Sequence, residues 1–333
     1  MCLALSSLLA YSCERVVYLR IGGMFAVLLG GLVLGYLSAS RFDLPAYWTK
    51  RIMTTVLVSF NWLIALFVIW SMKLSSQIIW LPIAGFCLML LITAISVILF
   101  SRLNLSRKSR LTLILAGALS NTGYTGGAFV CYALFGVAGL GLANIYLLLC
   151  LPTFYLVFLP LLKLHELRIK NSDARFSIRD MLDLRCLVIP AIIAAIVLNL
   201  TGVKQPAFIT EFYIIDIFVY VASSLSFFAI GLQVKLRRLK DYINLYFMLG
   251  AVKFILTPVM AFLIIWLLSV TGKNLTGLAR NVLIVLSTSP SAVLMVTMSN
   301  VFNLDGPLAS VLWVVTMAIF VAVVVPVLFL VFT

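Results

Sequence analysis

The sequence predicts an all-α polytopic membrane protein: ten transmembrane helices written as two inverted five-helix repeats, with helices 4 and 9 broken where they cross. Three observations predict it. Of the 333 residues, 64% are hydrophobic and 10% charged, whereas a soluble globular domain carries about 25% charged residues. Residues 142–162 align without a gap on residues 308–328, with identities at Leu142/Leu308, Ala143/Ala309, Phe154/Phe320, Val157/Val323, Pro160/Pro326 and Leu162/Leu328 at a constant offset of 166. That offset is half the chain length, so one unit is written twice. Finally, 17 of the 24 Lys and Arg residues fall in alternate segments between apolar runs.

Taken in order, residues 1–21 hold only a short apolar stretch without a basic leader, followed by Glu14 and Arg15, and read as an external or interfacial lead. Apolar runs follow at 22–38, 52–72, 78–100, 111–135 and 137–162. Each is near the roughly 20 residues that cross the hydrocarbon core. Residues 163–185 are the longest polar stretch, mixed in charge, and read as a connector. Five more runs complete the chain at 186–203, 212–233, 245–270, 281–302 and 306–332. All must be helices, because an unpaired backbone amide in lipid costs several kcal/mol. Smaller echoes extend the repeat: Pro45-Ala46 and Pro206-Ala207 lead into the second and seventh runs, and Lys73-Leu74 and Lys235-Leu236 close them.

The net charge of +14 is sorted by side, which points to a bilayer and not to nucleic acid. One side takes 17 basic residues, in the segments around Arg41 to Arg51, Arg102 to Arg110, 163–185 and Lys235 to Lys240. The other takes Arg15, Arg20, Lys73, Lys204, Lys273 and Arg280. The positive-inside rule places the first set in the cytoplasm, with the connector, and both termini outside. An odd number of helices per half then inserts the second half upside down. The expected location is the plasma (cell inner) membrane.

Two runs depart from plain hydrophobicity at corresponding places. The fourth carries Ser120-Asn121-Thr122-Gly123-Tyr124-Thr125-Gly126-Gly127, and the ninth carries Ser287-Thr288-Ser289-Pro290-Ser291. Glycine, proline and hydroxyl residues weaken a continuous helix. A membrane helix breaks only where protein or trapped water satisfies the freed backbone groups. Inverted repeats with paired breaks are the signature of secondary transporters, and half-helix N-termini aimed at the crossing suit an anion.

Charged groups inside runs are few. Asp216 lies about 6 Å inside the outer end of the seventh run at 1.5 Å per residue. It reads either as a proton or cation carrier or, more simply, as a carboxylate reaching the headgroups. Lys253 lies some 10 to 12 Å in from the cytoplasmic end of the eighth. Snorkelling to the surface and facing a cavity, where it attracts a carboxylate or holds a polar network, are equal readings. The lone histidine, His165, lies in the connector and argues against haem or His-dependent chemistry; no Walker-type phosphate loop occurs. Six cysteines lack metal or disulfide spacing and read as space-filling. Asn61, Asn144, Tyr146, Ser223, Ser224, Ser226 and Gln233 are further polar groups in or near the runs, read as interhelical hydrogen-bonding partners.

At Ser120-Asn121-Thr122-Gly123-Tyr124-Thr125-Gly126-Gly127, Ser289-Pro290-Ser291-Ala292, and Lys253 with Pro258, the chain resembles the auxin efflux carrier family, which includes plant PIN-type carriers and bacterial dicarboxylate permeases. The resemblance covers most of residues 22–332. It departs at Ala128, where the family pattern has Pro, and at Ser59-Phe60-Asn61-Trp62, where many relatives have Leu-Pro-Ala. The resemblance implies a fold similar to the bile acid sodium symporters, with scaffold helices in 22–72 and 186–235 and transport-unit helices in 78–162 and 243–332. It further implies a homodimer through the scaffold.

The expectation is a secondary membrane transporter, in all an efflux carrier of a small organic anion, a carboxylate, working by alternating access and not as an enzyme. Substrate binding is assigned to Asn121, Thr122, Gly123, Tyr124, Gly126, Ser289, Pro290, Ser291 and Lys253. Ion coupling is assigned to Asp216, Ser287 and Thr122. No cofactor or resident metal is expected, and the coupling ion is H+ or Na+. The alternatives are a sodium-coupled symporter of the bile acid type and a membrane receptor or regulatory subunit that binds a ligand without moving it.

Overall fold

The computed structural model describes residues 22–23, 26–27, 29–42, 48, 51–52, 55–72, 76–158, 162, 187–232, 242–302 and 304–332. The lead 1–21, the connector with His165, Pro45-Ala46, Lys73-Leu74, Pro160, Gln233 and Lys235-Leu236 lie outside the described residues. Within them the regular structure is helical, apart from one isolated antiparallel bridge between Ser120 and Ser291.

Helix α1 spans 29–42. Then come α2 (Trp62–Ser71), α3 (Trp80–Ser101), α4 (Arg107–Ala118), α5 (Gly127–Thr153), α6 (Val188–Leu200) and α7 (Ile214–Gly231). The chain continues with α8 (Ile243–Ala251), α9 (Thr257–Val270), α10 (Gly277–Ser287), α11 (Val293–Val301), α12 (Gly306–Ile319) and α13 (Val325–Phe332). Among the described residues, four helical stretches are long and apolar enough to cross a membrane: Gln77–Ser101, Gly127–Cys150, Ile243–Val270 and Gly306–Phe332. The chain is therefore a helical protein with the marks of a membrane protein.

Proline accounts for three of the four places where helices widen. Among the described residues π turns occur at Leu57–Asn61, Phe154–Phe158, Val252–Leu256 and Phe320–Val324. The last three are each followed two residues later by a proline in the sequence: Pro160, Pro258 and Pro326. Proline has no N–H to give, and its ring crowds the carbonyl four residues back. An extra residue in the preceding turn relieves that crowding while α8 runs on into α9 and α12 into α13. Thr257 Oγ1 donates to the Val252 carbonyl at 2.7 Å and so takes up an acceptor inside the widened turn.

Gly136 divides α5. Its φ of 64° and ψ of −153° belong to a region that side-chain-bearing residues essentially do not enter. Gly136→Ala is therefore expected to lower stability by about 1–3 kcal/mol, read as a fall in the thermal unfolding midpoint of the purified protein in detergent. An unchanged midpoint would show that the bend tolerates a Cβ.

Polar groups at the helix ends pair across the halves. Asn199 Nδ2 donates to the Trp70 carbonyl at 2.8 Å, and Trp70 Nε1 donates to the Val203 carbonyl at 2.7 Å. Lys273 Nζ stands 4.5 Å over the ring of Trp80, at the start of α3. At the far end of α3, 22 residues and so about 33 Å away, Ser109 Oγ donates to Asp305 Oδ2 at 2.8 Å. Asp305 also caps α12 by accepting from Leu308 N. Helix α2 packs on both α6 and α7, while α3, α4, α5 and α9 to α12 form a second contact group, whose α5 also meets α2, α6 and α7.

Candidate functional site

Helix α4 stops at Ala118, and α10 stops at Ser287. The intervening segments 119–126 and 288–292 are extended or turned, and they lie against each other. Asn121 N donates to the Pro290 carbonyl at 2.7 Å, and Ala292 N donates to the Leu119 carbonyl at 3.0 Å. Each break thus supplies what the other lacks, which is how unwound backbone survives away from water. Pro290 suits this place because it brings a carbonyl and no N–H.

Side chains complete the pairing. Ser291, fully buried, donates from Oγ to the Ala116 carbonyl at 2.8 Å and closes the end of α4. Asn121 Nδ2 donates to the Thr125 carbonyl at 2.9 Å, while Thr125 Oγ1 donates to Asn121 Oδ1 at 2.7 Å. The amide is thus turned into its own loop. Gly126 and Gly127 open α5 hard against that loop: Gly127 N donates to the Asn121 carbonyl, and a Cβ on Gly126 would land on that carbonyl oxygen. A Cβ on Gly127 would meet Ser289 Oγ and Leu286. Gly123, two residues after Asn121, has open space around it. Ser289 Oγ is buried without a hydrogen-bond partner.

Lys253 does not snorkel. Its side chain has 0% exposure, and Nζ donates to the Leu119 carbonyl at 3.0 Å and to Ser120 Oγ at 2.9 Å. The lysine enters from the π turn between α8 and α9 and holds a polar network, one of the roles the sequence leaves open for it. Asp216 is half-buried near the start of α7. Its carboxylate accepts a hydrogen bond from the Tyr132 hydroxyl on the first limb of α5. Nearby, Ser223 Oγ donates to the Tyr124 carbonyl at 3.3 Å, and Phe129, Tyr132, Tyr220 and Phe227 pack ring against ring. The α7 face that meets α5 is therefore polar and aromatic together. Asp216 and Lys253 hold different partners and form no pair.

Beside the crossing lies a cavity of about 90 Å³. Its walls come from α3 (Leu88, Met89, Ile92), from Leu119, Ser120 and Thr122 of the first break, and from α5 (Tyr146, Cys150, Phe154). Thr257 of α9, Leu286 and Ser287 of α10, and Ala292 and Leu294 at the start of α11 close it. Of the residues expected to bind substrate or ion, Thr122 and Ser287 line this space. Asn121, Gly123, Tyr124, Gly126, Ser289, Pro290, Ser291 and Lys253 lie in or behind the crossing, and Asp216 faces α5 from α7. Sequence reasoning missed Thr257, whose only signal is its place four residues after Lys253. It named Ser120 and Tyr146 without assigning either to the site. Tyr124 donates its hydroxyl to Asn144 Oδ1 at 2.9 Å, which ties the first break to the second limb of α5. Asn61 Oδ1 is buried without a partner, and Ser226 Oγ returns to the Ala222 carbonyl. Cys131 and Cys150 are buried free thiols, while Cys87 is exposed.

No protein-family model matches the chain, and no curated protein matches it.

Proposed function

We propose that this chain is a secondary carrier for a small organic anion in the plasma (cell inner) membrane, built from two inverted five-helix repeats and working by alternating access. One observation carries the reading: two interrupted helices from opposite halves of the chain satisfy each other's backbone beside a cavity walled by both halves. A broken helix is costly in lipid and is kept where it lines a binding site. The matched π turns at Phe154–Phe158 and Phe320–Val324, offset by the same 166 residues as the sequence repeat, support the duplication.

In this reading α2, α6 and α7 belong to the scaffold and the second contact group to the moving unit, as the resemblance to auxin efflux carriers implies. The Tyr132–Asp216 and Ser223–Tyr124 contacts join the two groups, so they break and reform as the unit moves. Asn121 acts by holding the shape of the first break.

Flux in proteoliposomes tests the function. The purified chain is expected to move at least one member of a panel of radiolabelled mono- and dicarboxylates, and Asn121→Ala is expected to lower that flux at least about ten-fold through loss of two hydrogen bonds of about 1 kcal/mol each. Binding without flux for the whole panel would sink the carrier in favour of a receptor. Flux that vanishes without sodium would move the protein to the sodium-coupled class.

A further inference from the structure

The hydrogen-bond directions around Lys253 decide what the cavity presents to a ligand. An ammonium has hydrogens and no lone pair, so Lys253 Nζ fills an acceptor position on Ser120 Oγ. Ser120 is half-buried and lines the cavity, and among the described residues its Oγ has no hydrogen-bond partner besides Lys253 Nζ. Its own hydrogen is left to point at an acceptor. Two other hydroxyls in the wall are committed the opposite way: Thr257 Oγ1 donates to the Val252 carbonyl and Ser287 Oγ to the Ile284 carbonyl. Helix α11 also opens at the wall, at Ala292, without a side-chain cap, so its positive end adds to the same potential.

We propose that Ser120, with Lys253 behind it, is the anion-reading group of the cavity, and that the pair confines the cavity to ligands with one carboxylate and an apolar body. Lys253 never touches the ligand; it is a positioning residue that orients and polarises the Ser120 hydroxyl. The restriction to one carboxylate follows from the rest of the wall. No Lys or Arg is among the cavity-lining residues. A second carboxylate would therefore lie against side chains such as Leu88, Ile92 and Leu286 and the neutral hydroxyls of Thr122 and Tyr146, with no cation to compensate it.

The inference rests on the carrier reading of the same cavity, and two measurements separate them. Equilibrium binding of 4-methyl-2-oxopentanoate and of succinate to the full chain in detergent tests the inference. The monocarboxylate is expected to bind and succinate to bind at least ten-fold more weakly. Ser120→Ala is expected to weaken the monocarboxylate about ten- to a hundred-fold, the loss of one hydrogen bond to a charged group, and Ser120→Thr to restore it. Succinate binding as tightly, an unchanged Ser120→Ala, or no binding of either acid would overturn the proposal. Uptake of 4-methyl-2-oxopentanoate into proteoliposomes tests the carrier: binding without uptake leaves Ser120 as the anion-reading group and removes transport.

Discussion

Gly126→Ala is expected to destabilise the protein by about 1–3 kcal/mol or more, the range for forcing a methyl group into a packed site, whereas Gly123→Ala, three residues earlier, is expected to change stability by less than about 0.5 kcal/mol. A Cβ on Gly126 would meet the Asn121 carbonyl oxygen, and the Asn121 side-chain amide stands 3.1 Å from the same position. Neither neighbour can yield cheaply. The carbonyl accepts from Gly127 N at 2.9 Å, and the amide is bonded to Thr125 at both ends. At Gly123 nothing lies within 4 Å of the added atom. Thermal unfolding in detergent reads both variants. Equal midpoints would show that the turn opening α5 is less closely packed than its geometry states.

The second large effect separates stability from function. Lys253→Met is expected to leave the unfolding midpoint unchanged or raised while anion uptake falls at least about ten-fold, the loss expected when charge-assisted hydrogen bonding is removed. The stability half follows from the cost of burying a charge, which a well-packed apolar replacement avoids. Removing the lysine orphans little: the Leu119 carbonyl keeps its bond from Ala292 N at 3.0 Å, and Ser120 lines the cavity. The functional half follows because no Lys or Arg lines the cavity itself, and Lys253 is the cation that stands behind Ser120. A parallel fall in both measurements would make Lys253 a structural prop of the crossing.

Several features were legible because local chemistry alone dictates them. Gly136 separates two predicted runs, and the helix bends there in a conformation that requires glycine. The polar runs at Ser120 to Gly127 and Ser287 to Ser291 mark where α4 and α10 stop. Asp216 and Lys253 were visible as costly charges, but depth along a helix does not state which face a side chain takes. Lys253 faces the crossing because a widened turn precedes Pro258. Asp216 faces Tyr132 because α7 packs on the first limb of α5.

Asn121 shows the same limit from the other side. The resemblance implies a binding role for it, yet both ends of its amide close on Thr125, four residues along the same loop. By itself the sequence determined helical, membrane-compatible composition, the places where helices break or bend, and a repeat at an offset of 166; each depends on residue type and spacing. Only the tertiary structure decided that the two breaks pair, that Lys253 lies behind Ser120, and that α3, α5, α9, α10 and α11 wall one cavity. Those are contacts between segments far apart in the chain, and which polar group meets which is set by packing.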